Sequence, residues 1–157
     1  MEDVITTEYF TTDELNVEIK KMPDNICLIH INAVSLCKHV NSIKDMISQL
    51  EKLPSIMFIS ETRVQDENED FQKEKVQIEG YQLVLDNSST NAGSTAIYSS
   101  DNLVCNERSD IKFEFSSCEA CVVEVECNAP GPNPIFGALY HIQTNMHDHF
   151  VVIWVSF

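Results

Sequence analysis

Two polar residues follow consecutive apolar runs in this 157-residue sequence, and their side chains suit the binding of a metal ion. Asn32 comes at the end of "ICLIHI" (26–31), and Glu61 comes directly after "SIMFIS" (55–60). An amide oxygen and a carboxylate are hard oxygen ligands of the kind that Mg²⁺ takes, with other positions left for water and phosphate. The residues by themselves favour a local alternative, in which the asparagine closes a turn and the glutamate caps a helix.

The elements around these residues should bring them to one place. Both apolar runs have the composition of strands that are covered on both faces. Between them, "VNSIKDMISQLEKL" (40–53) repeats apolar residues at helical spacing. A strand, a helix and a strand in close succession predict a right-handed crossover between parallel strands. Because ligands bind beyond the carboxyl ends of such strands, Asn32 and Glu61 should face one crevice.

The remainder of the chain changes from helical to strand-forming patterns. Residues 11–22 predict an N-terminal helix, so 1–22 is interpreted as a helical extension of one domain at 23–157. The charged stretch 61–77 predicts a solvated loop or a frayed helix. Short β-rich runs follow, and they predict an α/β protein with a mainly antiparallel second part: 81–86, 94–100, 120–126 and 134–142. One of these runs ends at Tyr140 and His141.

Charge and composition restrict the classes of function. With 10 Lys and Arg against 25 Asp and Glu, the formal net charge is −15, which counts against a simple nucleic-acid-binding module. An enzyme that holds a divalent cation between its carboxylates and a phosphate remains compatible with this charge. No apolar run is long enough to span a membrane, and the N-terminus is acidic where a signal peptide would be basic. We therefore expect an intracellular protein, nuclear or cytoplasmic, without a membrane partner.

The cysteines contribute one further hypothesis. Of six cysteines, two form the "CEAC" motif, Cys118 and Cys121. Zinc would need a second pair or histidines at ligand spacing, and the histidines near the C-terminus do not have such a spacing. A zinc module built on this pair, Cys127 and a histidine is the least favoured hypothesis, and no zinc is expected. Reduced cysteines that pack as small apolar residues explain the pattern better.

An ordered set of segments gives the sequence a family resemblance. "HINAVSLCKHVNSIKDMISQLEKLPSIMFISET", "IEGYQLV", "NAGSTAIYSSDNL" and "PIFGALYH" occur in this order. Together they resemble the endonuclease domain of non-LTR (LINE-type) retrotransposons, which belongs to the endonuclease/exonuclease/phosphatase superfamily. The resemblance runs from about Tyr9 to about Asn145 and fades beyond. In place of the paired glycines that the family has before "AIY", this sequence has Gly93 and Ser94.

The resemblance implies a fold, an activity and a set of roles. The fold is a four-layer α/β sandwich, truncated here, with two facing mixed β-sheets and helices outside. The activity is Mg²⁺-dependent nicking of DNA. Asn32 would contribute to the metal and phosphate site, Glu61 would be the principal Mg²⁺ ligand, and Tyr140 would lie beside the scissile phosphate. His141 stands where the family usually has arginine, so that phosphate contact should be weakened. DNA is the partner that the resemblance implies, and the net charge of −15 should weaken its binding.

Two segments of the family pattern do not occur in this sequence. A "GD-x-N" strand and an "SDH" segment supply the family's catalytic aspartates and its general-base histidine. We therefore expect the N-terminal part of an endonuclease domain, catalytically inactive as an isolated chain. The tail "HFVVIWVSF" (149–157) has a strand pattern where the family has a helix. The alternative function is a non-catalytic acidic interaction protein derived from such a domain.

Overall fold

A computed structural model describes residues 11–21, 26–64, 69–86, 93–111, 118–127, 130–141 and 149–155. These ranges contain three helices and eight strands, in the chain order α1 (Thr12–Lys21), β1 (Leu28–Asn32), α2 (Leu36–Ser48), β2 (Ile56–Ser60), α3 (Glu69–Val76), β3 (Tyr81–Asp86), β4 (Thr95–Ser100), β5 (Cys105–Glu107), β6 (Cys118–Val125), β7 (Ile135–His141) and β8 (His149–Val155). None of the helices in these ranges has the length and apolar character needed to cross a membrane.

The eight strands form two four-stranded sheets of different character. The first has the strand order β1-β2-β4-β3, with β1 parallel to β2 and the other neighbours antiparallel. The second has the order β5-β6-β7-β8 and is antiparallel throughout. The predicted α/β class, with one parallel crossover followed by a mainly antiparallel part, is confirmed.

Helices α2 and α3 cover the outer face of the first sheet. The apolar positions of α2 form one buried stripe at helical spacing: Leu36, Val40, Ile43 and Ile47. This stripe packs with Met57, Ile59 and Tyr98 from the sheet. Tyr98 is fully buried, and its hydroxyl donates to the Val76 carbonyl at 2.7 Å, which ties α3 to β4.

The inner face of the first sheet packs against the second sheet. Ile56, Phe58 and Ile97 occupy the strand positions that alternate with the outer-face residues. The second sheet contributes the facing residues Cys121, Val123, Val125, Phe136 and Ala138. Two facing sheets with helices outside agree with the predicted sandwich. In the ranges described above, helices cover only the first sheet, so the fourth layer stays a prediction.

Helix α1 is capped at its start and docked in its middle. The Thr11 N–H donates to the Glu14 carboxylate at 2.8 Å, and the Glu14 N–H donates to the Thr11 hydroxyl at 3.3 Å, which is a capping box. The buried Asn16 side chain donates to the Gln49 carbonyl at 2.8 Å and accepts the Glu51 N–H at 2.9 Å. The helix therefore packs on the end of α2. The domain boundary predicted after this helix stays a prediction.

Some elements differ from those expected from sequence. The helix predicted at 40–53 begins earlier, at Leu36, because carbonyls of the loop after β2 accept its first amides. It also ends earlier, at Ser48. Strand β5 lies between two of the predicted β-rich runs, and its three residues are too few for a strand pattern to be detected in the sequence; the strand forms by pairing with β6. Helix α3 lies in the charged stretch, for which a frayed helix was one of two expectations.

Candidate functional site

Strands β1 and β2 bring Asn32 and Glu61 together at the carboxyl end of the first sheet. The two strands are parallel, with Asn32 opposite Ser60, so the residue that follows β2 lies next to the end of β1. The Asn32 Nδ2 group donates to Glu61 Oε1 at 2.8 Å. The adjacency expected from the crossover is confirmed, whereas the roles of both residues in metal and phosphate binding stay predictions.

Backbone hydrogen bonds hold the turn after β1 against the loop after β2. The Ser35 N–H donates to the Glu61 carbonyl at 2.8 Å, and the Leu36 N–H donates to the Thr62 carbonyl at 2.9 Å. Within the turn, Asn32 Oδ1 accepts the Val34 N–H at 3.2 Å. The asparagine therefore closes the turn with its oxygen and orients the glutamate with its nitrogen.

Positive backbone φ angles concentrate at this edge. Among the residues that the structure describes, every non-glycine residue with a positive φ lies after β1, after β2 or directly before β4: Val34, Ser35, Glu61, Arg63 and Ser94. Such conformations cost about 1–3 kcal/mol each and cluster at functional sites, where the surrounding structure holds them. Their concentration marks this edge as the candidate site.

The residues directly before β4 connect this edge to the second sheet. The Arg63 N–H donates to the Gly93 carbonyl and the Thr62 N–H donates to the Ser94 carbonyl, both at 3.2 Å. Gly93 has a φ of 105°, and a Cβ there would overlap the Glu119 carboxylate and lie 3.3 Å from the ring of Tyr140. The backbone conformation at position 93 therefore favours glycine. The next position, the second of the family's glycine pair, tolerates Ser94 at a φ of 63°.

Tyr140 lies on the second sheet at this junction. Its side chain is only 3% exposed, and Glu119 is its neighbour across the ladder between β6 and β7. Through Gly93, its ring borders the junction that is hydrogen-bonded to the loop of Glu61. His141 is the last residue of β7. The side chain of His141 lies outside the described residues, so its expected effect on phosphate binding stays a prediction.

Two residues of this edge were not found by sequence reasoning. Arg63 Nη2 lies 3.3 Å from Glu61 Oε2, and the Glu61 side chain is 17% exposed. The Glu119 carboxylate accepts the N–H of Ser94. Arg63 could have been suspected from its place two residues after the glutamate. The contact of Glu119 depends on how two sheets face each other, which no local pattern of the sequence encodes.

Few of the described side-chain oxygens at this edge could be ligands of a metal ion. Glu61 supplies a carboxylate, which Asn32 and Arg63 contact at its two oxygens. Mg²⁺ is usually bound through one or two carboxylates and keeps several waters. Within the described ranges, no group of three or more His, Cys, Asp or Glu residues is arranged to hold a metal. Glu61 offers a carboxylate at this edge, and its role as a Mg²⁺ ligand stays a prediction.

His30 lies two residues before Asn32 on β1. His30 Nε2 is 3.0 Å from the Ser60 hydroxyl, on the strand face that also carries Asn32. Burial lowers the pKa of His30 below its usual value. The ring is therefore neutral at pH 7 and contributes hydrogen bonding without charge.

The second cysteine of the "CEAC" motif is part of the core between the sheets. Cys121 is 4% exposed, and its thiol donates to the Thr95 carbonyl at 3.3 Å. Burial raises the pKa of Cys121 to about 12. The thiol is therefore protonated at pH 7 and packs as an apolar core group, and the expectation that no zinc is bound stays a prediction. The side chain of Cys118 lies outside the described residues.

The chain is similar in structure to a solved endonuclease. A crystal structure of an AP endonuclease from Leishmania major aligns with 83% of this chain and 38% of its own, at 11% identity and a TM-score of 0.43. The chain thus spans well under half the length of that protein. No protein-family model matches the sequence. No curated protein matches it significantly.

Proposed function

We propose that this chain carries the metal- and phosphate-binding part of a Mg²⁺-dependent endonuclease domain of the non-LTR retrotransposon type. The observation that carries the proposal is the 2.8 Å hydrogen bond between Asn32 and Glu61 at the carboxyl end of the parallel strands. It is supported by the junction at Gly93, which connects the loop of Glu61 to the ring of Tyr140. The family resemblance implies roles for these same residues.

Glu61, Asn32 and Arg63 have distinct roles in this proposal. Glu61 binds Mg²⁺, and Asn32 fixes the orientation of its carboxylate. When bound, the ion would neutralise charge on a phosphodiester and lower the pKa of a water molecule. An amide nitrogen carries two hydrogens, so Asn32 can donate to the glutamate and to a phosphate oxygen together. The exposed guanidinium of Arg63 suits a phosphate through its charge and its fork of donors.

Nicking of DNA requires more than these groups. A water nucleophile needs a general base, and the family provides one through the histidine of its "SDH" segment. Because this sequence contains neither that segment nor "GD-x-N", we propose that the isolated chain does not nick DNA. The net charge of −15 should weaken its binding to DNA as well.

A plasmid-nicking assay with Mg²⁺ tests this function. The assay compares the chain, a chain extended by family segments that contain "GD-x-N" and "SDH", and the extended chain with Glu61→Ala. Glu126→Ala is the matched control, because Glu126 is an exposed glutamate that accepts an asparagine side chain elsewhere. We expect nicking only by the extended chain and its Glu126 variant. Equal nicking by the Glu61 variant would contradict the proposal.

The acidic charge favours a second candidate function, a non-catalytic interaction protein. A net charge of −15 attracts basic partners and repels nucleic acid. In that case Asn32 and Glu61 would be remnants of an endonuclease site without a present role. Their replacement by alanine would leave salt-dependent binding to a basic peptide unchanged. An extended chain that folds but does not nick DNA would favour this alternative.

A further inference from the structure

A continuous set of hydrogen bonds connects the second sheet to the loop of Glu61. The Glu119 carboxylate on β6 accepts the N–H of Ser94, which directly precedes β4 of the first sheet. The Ser94 carbonyl accepts the Thr62 N–H at 3.2 Å, and the hydroxyls of these two residues bond to each other. Thr62 directly follows Glu61, so the connection ends at the proposed metal ligand.

The middle of this connection is buried and conformationally strained. Thr62 and Ser94 are both 0% exposed. A buried polar group that loses its partner retains the full cost of its desolvation, so these hydrogen bonds are costly to break. Glu61 and Ser94 have φ angles of 53° and 63°, which side chains rarely adopt without support from outside the segment. Glu119 contributes such support from the opposite sheet.

We propose that Glu119 is a positioning residue for the Asn32–Glu61 site. Its carboxylate fixes Ser94, Ser94 fixes Thr62, and Thr62 sets the direction in which Glu61 leaves its strand. The consequence for metal binding rests on the proposed function, whereas the connection itself does not. Removing a residue that holds a metal ligand in place through hydrogen bonds typically weakens metal affinity by about 10- to 100-fold.

The affinity for Mn²⁺ alone, measured by electron paramagnetic resonance of the free ion, tests the consequence. We expect Glu119→Ala to weaken Mn²⁺ binding at least about tenfold. Glu119→Gln keeps an acceptor oxygen for the Ser94 amide, so its affinity should stay close to that of the parent chain. Glu126→Ala, which removes an exposed carboxylate next to the same strand, should leave the affinity unchanged.

Two results would overturn the inference. Equal losses in the Gln and Ala variants of Glu119 would mean that charge and not position is required, and an unchanged affinity in the Ala variant would mean that the connection has no effect. If the Ala variant does not fold, Thr62→Val removes the hydroxyl bond of the same connection, leaving its backbone bond, without changing charge. It should weaken Mn²⁺ binding too, and an unchanged affinity would again refute the inference.

Hydrogen exchange without metal separates this inference from the proposed function. Glu119→Ala should accelerate exchange of the amides of Ser94, Thr62 and Arg63, and Glu119→Gln should restore their protection. A parent chain whose Mn²⁺ binding does not depend on Glu61 would refute the proposed function and leave this readout intact. Faster exchange confined to Ser94 would refute the connection.

Discussion

The substitution Asn32→Asp should set two carboxylates against each other at the proposed site. The side chain keeps its shape, but an oxygen takes the place of the Nδ2 donor. That donor lies 2.8 Å from Glu61 Oε1. Two unit charges about 4 Å apart repel by about 4 kcal/mol at an effective dielectric constant of about 20, and by about 1 kcal/mol in bulk water. Asn32 is exposed and the Glu61 side chain is 17% exposed. We therefore expect the free energy of unfolding at pH 7 to fall by about 2 kcal/mol.

The same repulsion determines how the variant responds to acid and to Mg²⁺. A carboxylate beside another carboxylate has a raised pKa in the folded state, so the folded variant binds more protons than the unfolded chain. The loss of stability relative to the parent chain is therefore complete at pH values above the raised pKa, and it becomes smaller as the pH falls through that value. Mg²⁺ held between the two carboxylates should also restore stability, because it binds the folded state preferentially.

Urea unfolding at pH 7 and at about pH 5, with and without millimolar Mg²⁺, measures these effects. Asn106→Asp is the matched control, since Asn106 Nδ2 donates to Glu126 Oε1 at 2.9 Å in an exposed pair. That control should lose little stability and should recover with NaCl as well as with Mg²⁺. An Asn32→Asp variant as stable as the parent chain at pH 7, or one that Mg²⁺ does not stabilise, would refute the reasoning.

The remaining predictions concern the core and the surface. Thr95→Val should raise the free energy of unfolding by about 1 kcal/mol in a denaturant titration, because the Thr95 hydroxyl is buried without a hydrogen-bond partner among the described residues; a loss of stability would contradict this. In the native state, Cys121 should resist a thiol reagent that modifies the exposed Cys37, as mass spectrometry would show, since burial raises its pKa to about 12. A side-chain hydrogen bond from Arg108 lowers the pKa of Asp110, so this pair stabilises the fold above the usual carboxyl range and the contribution is lost as the pH falls through the lowered value. Arg108→Met should therefore flatten the acid limb of a stability profile, and an unchanged limb would contradict it.

The parts of the fold that depend on short-range pattern could be predicted from the sequence. Continuous apolar runs mark β1 and β2, and the helical spacing between them indicates the crossover. Because a crossover fixes parallel strands, the adjacency of Asn32 and Glu61 followed from chain order alone. The antiparallel second part followed from turn residues between short β-rich runs.

The parts that depend on contacts between distant segments could not be predicted. The start of α2 is set by carbonyls from the loop after β2, and its N-cap residue Ser35 makes no capping hydrogen bond with its side chain. The left-handed conformations of Glu61 and Arg63 are held by the junction at Gly93, about thirty residues away in sequence. The contact of Glu119 with Ser94 requires the packing of one sheet on the other. Such contacts are consequences of the folded state and have no local signature.

Line broadening of amide resonances by substoichiometric Mn²⁺ reports where on this acidic chain the ion binds, and therefore tests whether Glu61 is a metal ligand. We expect broadening centred on the amides around Asn32 and Glu61, displaced by excess Mg²⁺ and abolished by Glu61→Ala. Broadening centred elsewhere, such as on the exposed carboxylates around Asp110, or broadening that persists in the Glu61 variant, would contradict it.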